Sequence, residues 1–68
     1  MSVANNVHKR RIEKHLSLRR LAEKAGVAFS TIYRLEKGSH RPTYSTLKLI
    51  SEALEVPVSE LIEKRQED

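Results

Sequence analysis

Three features of the sequence predict an all-α domain of five short helices. Gly and Pro are scarce, and Gly26, Gly38, Pro42 and Pro57 punctuate the chain at intervals that suit single helices. Between these breaks, apolar residues recur at helical spacing, as in Leu47, Ile50 and Leu54. No stretch alternates apolar and polar residues for long enough to form a half-buried strand. With 68 residues the chain has room for a single domain over 1–68. A domain of this size buries only about 60% of its unfolded surface, so its core must be tightly packed.

The first helix is predicted from Ala4 to Lys14, with Val7 and Ile12 as its apolar positions. Their spacing does not make one clean stripe. Ser17 suits the N-cap of a second helix that carries Leu18, Leu21, Ala22 and Ala25 and ends at Gly26. A third helix runs from about Ala28 to Lys37, carries Ile32 and Leu35, and stops at Gly38. Ser39 to Pro42 reads as a loop, and Thr43 as the cap of a fourth helix. A fifth is expected after Ser59, with Leu61 and Ile62 inward and Glu60 in its first turn. The charged tail 64–68 is expected to fray.

Charge divides the chain. Residues 1–41 carry ten basic and three acidic side chains, whereas residues 42–68 carry three basic and six acidic ones. The net +4 therefore conceals a strongly basic first part, which points to a polyanionic partner. Other classes find little support. There is no Cys, hence neither a disulfide nor a thiolate metal site. His8, His15 and His40 offer no third ligand at a set spacing, so no metal and no cofactor is expected. Nor is there a glycine-rich phosphate cradle or a nucleophile–base set, and enzymatic activity ranks last among the functions considered. Apolar runs stop at three or four residues, and Met1 to Val7 does not form a secretory signal. A soluble, cytoplasmic protein with no membrane association is the expectation.

Residues 17–37 hold the informative motif. Two short helices joined by a glycine-containing turn read as a helix-turn-helix. Ala22 is small where a crossing helix must come close, and Gly26 allows the sharp turn. Leu21, Ala25, Val27, Ile32 and Leu35 supply the apolar contacts between the pair and the rest of the domain.

The segment Leu16-Ser17-Leu18-Arg19-Arg20-Leu21-Ala22-Glu23-Lys24-Ala25-Gly26-Val27 resembles an LSxxxLAxxxGV pattern, and Ser30 to Gly38 resembles STIxxxExG. Pro42, Leu47, Ile50, Ala53, Leu54 and Val56 continue the match. Together they resemble the phage repressor and Cro type of helix-turn-helix regulator, the xenobiotic response element (XRE) family, over about residues 3–64.

The resemblance implies a five-helix domain that binds operator DNA, with the third helix in the major groove and the second across the backbone above it. Carried over by position, Phe29, Ser30, Thr31 and Arg34 would meet bases, and Tyr33 the groove wall. Ser17, Lys37, Arg41, Thr43 and Tyr44 would lie near phosphates. Arg11 and Glu36 match an ion pair that ties the first helix to the third. The chemistry suits these roles: an arginine can donate two hydrogen bonds to guanine, and a phenyl ring can pack on a thymine methyl. The chain departs from the family at Leu18, where Gln is common, at Ala28, where Ser or Thr caps the third helix, and at Glu55, where Gly is usual.

The leading expectation is a sequence-specific transcriptional regulator, a repressor or switch. It would act as a homodimer on a pseudo-palindromic double-stranded operator, with Leu49, Val58 and Ile62 as candidate interface residues. The alternative is an antitoxin of a toxin–antitoxin pair, or an adaptor of the same fold with a protein partner. The basic face argues against an adaptor that does not bind DNA.

Overall fold

The structure is a computed structural model that describes residues 2–39 and 41–62. Its elements are α1 (Val3–Glu13), α2 (Leu18–Ala25), α3 (Phe29–Lys37) and α4 (Tyr44–Leu54), followed by a single 3-10 turn over Val58–Glu60. The described residues thus hold four α-helices. In place of a fifth helix capped by Ser59 there is a short turn that begins after Pro57, with Ser59 inside it. Leu61 is nevertheless fully buried against the core. The tail 64–68 and His40 lie outside the described residues.

Capping follows the sequence closely. The hydroxyls of Ser2, Ser17 and Thr43 accept hydrogen bonds from the amides of Asn5, Arg20 and Thr46 at 3.1, 3.0 and 3.2 Å. Ala28 begins α3 without any side-chain cap. At the other end, all four helices close alike. A left-handed residue follows directly after α2, α3 and α4 and one residue later, at His15, after α1; the next amide then bonds back five residues, as Leu16 to Arg11, Val27 to Ala22, Ser39 to Arg34 and Val56 to Ser51. Gly26 and Gly38 take this conformation freely, at φ 74° and 79°. His15 and Glu55 adopt it at φ 59° and 61°, where a Cβ is unfavourable.

The core gathers Val7, Leu21, Ile32, Leu35, Ile50, Leu54 and Leu61, with Ala22, Ala25, Leu47 and Ala53 filling the gaps. α3 packs on α1 and α2, and α2 also packs on α4. The inward face of α1 differs from the sequence expectation. Ile12 is 51% exposed, and Arg11 is buried in its place. The reason is angular: Val3, Val7 and Arg11 repeat every four residues and form one stripe, whereas a step of five carries Ile12 to the far flank. The Asn6 amide donates to the Leu61 carbonyl at 3.0 Å and pins the C-terminal turn to α1. Arg10 pairs with Glu60 beside it.

Candidate nucleic-acid interface

Since α3 packs on α1 and α2, only one side of it can face solvent. Ile32 and Leu35 point inward, while Phe29, Ser30, Tyr33, Arg34 and Lys37 form the exposed face. Thr31 is half-buried at its edge. The sequence-predicted base-contacting residues therefore share one helix and, apart from the margin at Thr31, one surface. Ser17, at the start of α2, and Arg41, Thr43 and Tyr44, around the start of α4, are exposed as well. Tyr44 is 67% exposed and does not cover the core edge.

Ion pairing sorts the cations. Arg10, Arg11, Lys14, Arg20 and Lys48 pair with carboxylates. Among the described residues, Lys9, Arg19, Lys24, Arg34, Lys37 and Arg41 have no such pair. Of these, Arg19, Arg34, Lys37 and Arg41 are the ones on or beside α3 whose charge is available to an anion there. The free amides at the first turns of α2 and α4 add partial positive charge beside Ser17 and Thr43. The Ser17 oxygen accepts from the Arg20 amide, which leaves its own proton to donate.

Arg11 and Glu36 play a different part. Their side chains are only 10% and 8% exposed, and the guanidinium meets both carboxylate oxygens at 2.7 and 3.1 Å. Arg11 Nη1 also donates to the Leu16 carbonyl at 2.6 Å. His8 Nδ1 lies 2.9 Å from Glu36 Oε1, a contact that sequence spacing does not reveal. This cluster sits behind α3 and fixes it to α1.

Arg19 escaped the sequence-based assignment. Its guanidinium stands over the Phe29 ring, 5.3 Å from the centroid. Ten positions and a turn separate the two residues, so no helical periodicity links them.

The helix-turn-helix family profile matches residues 7–61 of the chain. The chain belongs to the XRE-type helix-turn-helix family. It is 39% identical over 57 residues to an uncharacterized HTH-type transcriptional regulator of Sinorhizobium medicae (strain WSM419), an alignment covering 84% of this chain and 41% of that protein. A second such regulator, from Sinorhizobium fredii (strain NBRC 101917 / NGR234), is 36% identical over 66 residues, 97% of this chain and 46% of the relative. The chain thus spans less than half the length of these relatives. Among solved structures, the N-terminal DNA binding domain of SinR from Bacillus subtilis superposes with a TM-score of 0.87 at 35% identity, covering 96% of each chain. The restriction-modification controller protein C.AhdI from Aeromonas hydrophila shares the fold, with a TM-score of 0.85 at 23% identity over 88% of this chain and 91% of that one.

By family and fold, this chain is a helix-turn-helix domain. α2 and α3 form the motif, with Gly26 at its turn. No helix among the described residues is long and apolar enough to cross a membrane.

Proposed function

We propose that the chain binds a specific operator by laying α3 in the major groove and acts as a repressor or switch by occupying that site. The observation that carries this reading is the division of charge. Arg34 and Lys37 of α3, Arg41 of its flanking loop and Arg19 beside it have no carboxylate partner among the described residues, whereas Arg10, Arg11, Lys14 and Arg20 are paired. Lys9 and Lys24 are the unpaired cations elsewhere among the described residues. Arg34, Ser30, Thr31 and Phe29 meet base edges, and Tyr33 lies against the groove wall. Ser17, Lys37, Arg41, Thr43 and Tyr44 hold phosphates on either side. It is a binding domain rather than an enzyme, and it works in the cytoplasm.

Two copies would read a pseudo-palindrome with half-sites about 34 Å apart. Leu49 of α4 and Ile62 are exposed apolar side chains, and Val58, in the turn after α4, is half-buried. These three support a homodimer contact.

Selection of binding sites from a random duplex library tests the reading, with Arg34→Ala run in parallel. A recovered palindrome whose affinity collapses in the variant supports a dimeric operator-binding regulator. Weak, sequence-blind binding that vanishes with salt reports phosphate attraction alone. That result would turn attention to a protein partner, in the antitoxin or adaptor sense; the solved relative SinR is itself seen in a complex with SinI.

A further inference from the structure

Four exposed side chains from two helices stand in a column. The Arg19 guanidinium lies 5.3 Å from the centre of the Phe29 ring. Phe29 stacks on Tyr33, with ring centres 6.3 Å apart and planes inclined by 22°. The Lys37 ammonium lies 5.5 Å from the Tyr33 ring. Phe29, Tyr33 and Lys37 repeat every four residues along α3, and Arg19 reaches the column from α2 across the turn.

The rings remain 42% and 45% exposed, so an apolar strip lies open to solvent on a face otherwise made for an anion. Neither Arg19 nor Lys37 has a carboxylate partner among the described residues. An apolar peptide docked here would have to cover both cations without neutralising them, at a desolvation cost. A DNA major groove satisfies both halves: phosphates line its walls, and the C5 methyl group of thymine is the apolar group on its floor.

We propose that this column is a reader of 5-methylpyrimidines, in which the Phe29 ring receives a thymine methyl group and Tyr33, against the groove wall, backs that ring by stacking on it. Arg19 is the positioning residue. It holds the Phe29 ring by a cation–π contact from α2 and directs its remaining donors to a phosphate. Such a hold matters because Phe29 is the first residue of α3 and the preceding Ala28 supplies no side-chain cap. The inference rests on the DNA-binding reading above.

Fluorescence anisotropy with the full chain tests it, on the duplex recovered by site selection and on copies in which thymines are replaced one at a time by deoxyuridine. Loss of the methyl at one position per half-site should weaken binding about three- to fivefold, the scale of one buried methyl. Phe29→Ala should bring that thymine-to-uracil ratio close to one. Arg19→Ala should shrink it, and Arg19→Lys should restore part of it, while circular dichroism reports that each variant is folded. Specific binding that ignores every methyl overturns the methyl-reading role and leaves the operator reading standing. A ratio unchanged in Arg19→Ala overturns the positioning role. Failure to bind any duplex specifically removes the operator reading and this inference with it.

Discussion

Arg11 and Glu36 meet side-on, Nε to Oε2 at 2.7 Å and Nη2 to Oε1 at 3.1 Å, and so bolt α1 to the last turn of α3. Neither side chain is more than 10% exposed, so both charges depend on each other in place of water. The third guanidinium nitrogen is satisfied by the Leu16 carbonyl, which also ties the α1–α2 link to the cluster. No buried polar side-chain atom among the described residues lacks a partner. The helix that would enter DNA is therefore held from behind by a planar, two-point contact.

Removing one half of a buried pair strands the other. Arg11→Ala or Glu36→Gln should each destabilise the fold by about 2–4 kcal/mol, measured by urea denaturation. Replacing both residues by apolar ones of similar volume should cost less than the sum of the single losses. Strict additivity across that double-mutant cycle would mean that the two charges act independently.

His15 and Gly26 close their helices in the same left-handed conformation, one with a Cβ and one without. His15→Gly relieves that strain and should stabilise the protein by up to about 1 kcal/mol. For a domain of this size the melting temperature should rise by about 4–8 °C per kcal/mol. Gly26→Ala should do the reverse by a comparable amount. A methyl at Gly26 would touch nothing within 4 Å, so any loss reports backbone strain rather than a clash. A thermal melt of each variant decides the matter, and a lower melting point for His15→Gly would contradict the argument.

Arg34 and Lys37 lie on the same exposed face but should leave different signatures. In the proposed complex Arg34→Ala removes a base contact, so it should weaken cognate binding by about 1–3 kcal/mol and barely alter affinity for random duplex. Lys37→Ala would remove the phosphate contact proposed for it. It should weaken both kinds of binding alike and lower the slope of log affinity against log salt by about 0.9. Salt titrations on cognate and scrambled duplexes separate the two, and identical behaviour of the variants would undo these role assignments.

Glu55 contributes a pH dependence to stability. Its hydrogen bond to Lys14, at 3.1 Å, lowers its carboxyl below the ordinary glutamate value, aided by the charges of Lys14 and Lys24. A lowered folded-state value means that the ionised form favours folding. The contribution is present above the ordinary glutamate value and is lost as pH falls through the lowered one. Because Glu55 is exposed, the effect should be small and should fade in high salt. Glu55→Gln should flatten that part of the acid limb in a pH series of melts. An unchanged limb at low salt would show that the Lys14 pair does not form in solution.

Much of this protein was legible in its residues. Gly26, Gly38, Ser17 and Thr43 mark helix ends because capping and left-handed turns are local: the groups that need partners lie within a few residues of those that supply them. The family resemblance over 17–37 likewise pointed Ser30, Tyr33 and Arg34 outward from α3, and their exposure agrees with helical periodicity, which turns them away from the buried Ile32 and Leu35. What required the tertiary structure were relations between elements distant in sequence. Burial of Arg11 in place of Ile12, the approach of His8 to Glu36, and the arrival of Arg19 over Phe29 all depend on how α1 and α2 cross α3. The replacement of a fifth helix by one turn is of the same kind, because Leu61 is held by the core and by the Asn6 amide rather than by helical propensity. Local sequence chose the helices and their ends, and packing chose which side chains meet between them.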